Sequence, residues 1–193
     1  MVARLLIITG TSGVGKSTMS TKIAAEMEFG KTAATDTIRE VLRTQFTVSD
    51  QPELHRSSFE DAGGSAVEDW KDTVEVLSEG VNAVIERAQS RGSDLLLEGV
   101  HFFPNKEVID LWRDSGGVAT GVVLYVADEI RHRSMIANRE KHNGKMMDHY
   151  LGNIGRIREI QQELVVSGSD SGWVLVDPTK ESDSSRIIAN SLS

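Results

Sequence analysis

Cysteine is absent from the 193 residues, which excludes disulfides and thiolate metal sites, so any metal held by this chain is expected to be bound through oxygen. Aromatic residues make up only 5% of the chain, few for the stacking platforms that grip single-stranded nucleic acid. Basic residues are outnumbered, 21 Lys and Arg against 29 Asp and Glu. The resulting net charge of −8 favours solubility and argues against wholesale nucleic-acid binding, while leaving room for a local basic cleft. No run approaches the roughly 18 apolar residues of a membrane helix. The N-terminus leads directly into a strand-like segment without the layout of a signal peptide. These absences predict a soluble, cytoplasmic protein with no membrane partner, folded as a single domain over residues 1–193.

Short apolar runs alternate with longer helical patterns, as in a parallel sheet covered on both faces. Strands are expected at Arg4 to Thr9, Thr32 to Thr35, Asp94 to Glu98, Gly121 to Val126 and Trp173 to Asp177. Val67, Trp70, Val74, Leu77, Val81, Val84 and Ala88 recur at steps of three and four, which predicts one long amphipathic helix. Its other face carries Glu68, Asp69, Asp72, Glu75, Glu79 and Glu86 and reads as a solvated surface without chemistry. Residues 47–66, with Pro52, Gly63 and Gly64, read as a loop-rich insertion. Met147, Tyr150, Ile154, Ile157, Ile160 and Leu164 predict a further helix packed on the sheet.

The strongest local signal is Gly10-Thr11-Ser12-Gly13-Val14-Gly15-Lys16-Ser17, a complete GxxxxGK[ST] loop between a buried-type strand and a helix. Its glycines let successive N–H groups converge on phosphate oxygens at a helix N-terminus, and Thr18 extends the same cradle. Lys16 is expected to reach the β- and γ-phosphates of ATP, and Ser17 to ligate Mg²⁺. A guanine-reading NKxD motif is not matched, since Asn105-Lys106-Glu107-Val108 lacks the aspartate. Asp114-Ser115-Gly116-Gly117 lies where a plain turn explains it.

Three further constellations surround this loop. In Asp36-Thr37-Ile38-Arg39-Glu40-Val41-Leu42-Arg43, positions 36, 39 and 43 share a helix face at about 100° per residue. The strand before it is expected to neighbour the first, so that Asp36 orients a substrate hydroxyl while Arg39 and Arg43 grip an anion. A plainer role is equally formulated: Asp36 capping the helix and pairing with Arg39 at i,i+3. In Leu95-Leu96-Leu97-Glu98-Gly99-Val100-His101, Glu98 ends an apolar strand where a carboxylate organises Mg²⁺ or an acceptor. His101 there either touches substrate or bonds to backbone. Arg56, in Leu54-His55-Arg56-Ser57-Ser58-Phe59, adds a donor for an acceptor anion. After the fourth strand, Arg131, His132, Arg133, Arg139, Lys141, His142 and Lys145 suggest a mobile basic lid over about 131–147. Arg133 and Arg139 are the expected catalytic arginines, with Arg156 and Arg158 in reserve.

Taken in order and spacing, the phosphate loop, the Asp36 block, the Arg56 segment and Glu98-Gly99-Val100-His101 resemble 2-phosphoglycerate kinases. The resemblance implies an α/β P-loop kinase fold, a five-stranded parallel sheet flanked by helices. It also implies transfer of a phosphoryl group from ATP, with Mg²⁺, to the hydroxyl of a small phosphorylated hydroxy acid, 2-phosphoglycerate, giving 2,3-bisphosphoglycerate. An extra N-terminal module carried by some archaeal members is expected to be missing. Two alternatives remain at this stage: a kinase acting on a hydroxyl of a modified nucleobase in nucleic acid, and a nucleotide-binding switch without an acceptor.

Overall fold

The apolar run of β1, Arg4–Thr9, is buried from Leu5 onward, as the middle strand of a parallel sheet covered on both faces must be. The computed structural model describes residues 2–181 and 183–192. Helix α1, Lys16–Glu26, follows β1, and then come β2, Thr32–Ala34, and α2, Thr35–Arg43. A 3₁₀ turn, Pro52–His55, interrupts the predicted loop-rich stretch before α3, Ala66–Ser90. The remaining elements are β3, Leu95–Gly99; α4, Glu107–Asp114; β4, Val118–Leu124; α5, Glu129–Glu140; α6, Gly144–Gly152; α7, Ile154–Asp170; β5, Val174–Val176; and α8, Ser184–Asn190. No helix among the described residues is long and apolar enough to cross a membrane.

The five strands are parallel in the order β2-β3-β1-β4-β5. Thr9 is in register with Gly99 on one side and Val123 on the other, so the loops leaving β1 and β3 rise from the same level. Alternation along β1 sends Leu5 and Ile7 into a core shared with α3, α4 and α7, and Leu6 and Ile8 into a second core beneath α1 and α8.

Four expectations need correction. β2 does not neighbour β1, because β3 lies between them. The physical reason is burial: Leu95, Leu96 and Leu97 are at most 2% exposed and belong at the centre, whereas β2 has three residues and an exposed Thr32, which suits an edge. Strand bounds also shift, most in β4, which starts at Val118 rather than Gly121, while Thr35 opens α2 instead of ending β2. The pattern from Met147 to Leu164 is two helices, broken at Asn153, whose side chain donates to the His149 carbonyl at 2.9 Å and competes with helical bonding.

The acidic face of α3 is the fourth. Asp69 is buried, paired with Arg156 of α7, and accepts from the Ala62 and Gly64 amides at 2.9 and 3.2 Å. Arg156 also donates to the Phe59 carbonyl at 2.9 Å, so this pair ties the 59–64 loop to the body rather than reaching the phosphate loop. The apolar stripe of α3 is as read, with Trp70, Leu77, Val81 and Ala88 buried, and the structure adds a capping box between Ser65 and Glu68 at its start.

Candidate functional site

Gly15 caps α1 in the left-handed region at φ 90°, and Gly13 turns the loop at φ 86°. A Cβ on Gly13 would collide with Ile136 of α5, so glycine there serves close packing as well as the turn. His132, one turn earlier on α5, is fully buried with Nε2 2.8 Å from the Ser12 carbonyl. Burial is the main force pushing its pKa down, against the Ser12 bond, which raises it. As a neutral ring it donates to Ser12 and braces the loop from behind. The sequence placed His132 only in the basic lid; nothing in its spacing signals contact with a segment 120 residues away.

Lys16 opens α1 and its ammonium donates to the Thr11 carbonyl at 2.9 Å, arching over the loop. Burial lowers its pKa, the charges of Glu98 and Asp36 oppose that, and Arg139 adds to it. Thr11 Oγ1 is buried without a partner among the described residues. Ser17 Oγ donates to Glu98 Oε1 at 3.1 Å, which joins the two residues expected to organise a metal. Glu98 reaches this height because it sits one residue before the end of β3, level with Ile8 of β1 and Ala34 of β2.

On the β2 side, the structure gathers Asp36, Arg39, Arg56 and His101. Gly99 makes this possible, since a Cβ there would strike the Thr35 side chain packed against it. Thr35 Oγ1 lies 3.2 Å from His101 Nδ1, and Asp36 Oδ1 lies 3.7 Å from the same nitrogen. His101 is 2% exposed, and burial lowers its pKa to about 4 despite Asp36, with Arg39 and Lys16 pushing further down. The Arg39 guanidinium is 4.0 Å from Asp36 and donates to the Arg56 carbonyl at 3.4 Å. Arg56 itself is 3.5 Å from Asp72 of α3. Three buried nitrogens in this group, Arg39 Nε, Arg56 Nη1 and His101 Nε2, have no hydrogen-bond partner among the described residues. Of the plain roles read from the sequence, Asp36 pairs with Arg39 but does not cap α2, whose N-cap is Ala34, and His101 meets the Thr35 side chain rather than backbone.

Two expected members stand apart. Arg43 is turned to Glu40 at 2.8 Å, on the exposed side of α2, and not to the group around His101. Arg133 is bound to Glu129 at 2.8 Å, one turn back on its own helix, whereas Arg139 lines the cavity that holds Gly13, Gly15, Lys16, Ser17 and Thr18. Arg158 donates to the Val126 and Ala127 carbonyls at 3.2 and 2.9 Å and so serves the loop after β4. The residues after α4 form the turn expected of them, with Asp114 closing the helix.

A family model for an AAA domain matches residues 6–165, most of the chain. Curated relatives include proteins named 2-phosphoglycerate kinase. The one from Pyrococcus furiosus is 29% identical over 83% of this chain and 54% of its own length. The one from Methanocaldococcus jannaschii is 27% identical over 93% of this chain and 60% of its own length. The chain therefore spans little more than half the length of these relatives. Among solved structures, a gluconokinase from Sinorhizobium meliloti aligns with a TM-score of 0.51 at 17% identity, covering 99% of this chain and 92% of that one. Shikimate kinase from Aquifex aeolicus aligns with a TM-score of 0.52 at 13% identity, covering 97% and 95%. These likenesses carry the fold, a P-loop kinase fold. With its phosphate loop built as described and a family model running from β1 into α7, the chain belongs to the AAA domain family.

Proposed function

We propose that the protein is a kinase that transfers the γ-phosphoryl group of ATP to the free hydroxyl of 2-phosphoglycerate, yielding 2,3-bisphosphoglycerate and ADP. The observation that carries the acceptor side of this reading is the trio of unpartnered buried nitrogens on Arg39, Arg56 and His101 beside Asp36. Leaving such groups unpaired is costly, which favours an oxygen-rich anionic ligand that completes them. The names of the curated relatives support the same substrate.

The loop fits a triphosphate: its positive-φ glycines, the orphaned Thr11 hydroxyl and Lys16 all suit phosphate oxygens. Ser17 and Glu98 form an all-oxygen pair that fits Mg²⁺, which when bound would neutralise charge on the β- and γ-phosphates. In this reading Arg39 and Arg56 hold the acceptor's carboxylate and phosphate. Asp36 orients its hydroxyl and takes up the proton as the new O–P bond forms and the bond to the ADP oxygen breaks. Arg139 faces the charge on the transferring group from the lid side. His101, neutral, contributes a hydrogen bond to the acceptor through Nε2.

The test is ADP release in the presence of ATP and Mg²⁺ with a panel of phosphorylated hydroxy acids, nucleosides and oligonucleotides. Stimulation by 2-phosphoglycerate with formation of the bisphosphate supports the reading. Stimulation by oligonucleotides alone, with a steep salt dependence of about −0.7 per phosphate contact on a log–log plot, replaces it with a nucleic-acid kinase. Slow hydrolysis indifferent to every panel member replaces it with a nucleotide switch.

A further inference from the structure

Arg139 is the lid guanidinium that lines the cavity beside Lys16, yet it lies at the last turn of α5 and is exposed, where a long side chain ordinarily samples many rotamers. Two contacts hold it. Its Nε donates to Glu140 at 2.6 Å, and its guanidinium sits 4.5 Å above the ring of Tyr150 on α6. A cation over a ring face is attracted by the ring's quadrupole, enough to favour one rotamer, yet weaker than a forked bond to phosphate oxygens, to which the guanidinium can be given up.

Tyr150 is itself seated on the acceptor-side segment. Its ring centroid is 5.1 Å from that of Phe59, which is 2% exposed and tethered through its carbonyl to Arg156. The neighbouring His149 ring is also 5.1 Å from Phe59, with Nε2 3.3 Å from Glu60 and 3.4 Å from Ser57. Arg56, with its unpartnered Nη1, begins this same segment. Direct contacts thus run from Phe59, three residues along the chain from Arg56, through Tyr150 to the guanidinium on the nucleotide side.

We infer that Tyr150 is a positioning residue, its ring, seated on Phe59, holding Arg139 over the phosphate loop. The inference rests on the kinase reading above for its catalytic consequence, while the positioning itself does not. The ring face does this work, so the phenol oxygen is dispensable and the aromatic ring is not.

The test uses Tyr150→Leu, Tyr150→Met and Tyr150→Phe, each checked for folding by thermal unfolding, with two readouts. The first needs no substrate: in the NMR spectrum the Arg139 Nε–H resonance should be shifted upfield by the ring in wild type and Tyr150→Phe, and released in Tyr150→Leu. The second is steady-state kinetics. Tyr150→Leu and Tyr150→Met should lower kcat with 2-phosphoglycerate by about 10- to 100-fold, the scale of a misplaced group, with both KM values within about twofold. Tyr150→Phe should match wild type, and adding Arg139→Ala to Tyr150→Leu should cost little more than either change alone. An unshifted Arg139 resonance in wild type, full kcat in the leucine and methionine variants, or fully additive losses in the double variant overturns the inference. A wild-type protein with the shifted resonance but no response to 2-phosphoglycerate instead sinks the acceptor assignment and leaves the positioning supported.

Discussion

Ser17 Oγ and Glu98 Oε1 meet at 3.1 Å although 81 residues separate them in the chain. One comes from the first turn of α1, the other from the end of β3, and the parallel pairing of β1 with β3 sets their common height. If this pair organises Mg²⁺, Ser17→Ala and Glu98→Gln should each lower kcat by about 10²- to 10³-fold, the scale for losing one preorganised group. The Mg²⁺ concentration needed for half-maximal rate should rise. Titration of the rate with Mg²⁺ checks this, and an unchanged metal dependence in both variants counts against the pair.

Lys16→Ala removes an ammonium that already loses hydration to burial and is held over the loop by Thr11. The variant should fold, with a melting temperature close to wild type, and lose about 2.7 to 4 kcal/mol of transition-state stabilisation. Retention of near-wild-type turnover with any acceptor would show that the lysine has another role.

Arg39→Ala and Arg56→Ala each remove one of the orphaned nitrogens on the acceptor side. A charge-assisted hydrogen bond contributes about 1.5 to 3 kcal/mol, so acceptor kcat/KM should fall roughly 10- to 150-fold. The KM for ATP should stay nearly constant. Arg43→Ala, whose guanidinium is committed to Glu40, should change either constant by less than about twofold. Kinetics varying each substrate in turn separate these outcomes.

His101 makes stability depend on pH in a defined direction. Its pKa is lowered from 6.5 to about 4 in the folded protein, chiefly by burial, so below pH 6.5 the unfolded chain takes up a proton that the folded one refuses. The contribution of His101 to stability is therefore complete above about pH 6.5, is lost by on the order of 3 kcal/mol as pH drops towards 4, and changes no further below that. Denaturant unfolding across this range should show the slope, and His101→Asn should reduce it. Some slope should remain, because buried His132 is shifted in the same direction.

Breaking the Asp69–Arg156 pair should be costly, because Asp69 is 3% exposed and also satisfies two backbone amides. Asp69→Ala should destabilise the fold by about 3 to 5 kcal/mol, the cost of stranding one partner of a buried pair. Chemical denaturation measures it directly, and a loss below about 1 kcal/mol would mean that the 59–64 loop is held by other contacts.

What the amino-acid order determines by itself is whatever depends on near neighbours. The phosphate loop, the apolar strands β1 and β3, the long helix α3 and the turn after Asp114 all follow from glycine placement and from residue periods of two or 3.6, which act over a few residues. The family resemblance was legible for the same reason, since its blocks at Gly10, Asp36 and Glu98 are contiguous. Tertiary structure alone decided that β3 separates β2 from β1, that Asp69 is inside while the acids Glu68 and Asp72 on the same helix are outside, and that His132 braces the loop at Ser12. It also decided which arginine faces Lys16: Arg133 finds a carboxylate on its own helix, and Arg139 finds a ring on the next one. Such choices turn on desolvation and on partners tens of residues away, and neither quantity exists until the chain has folded around them.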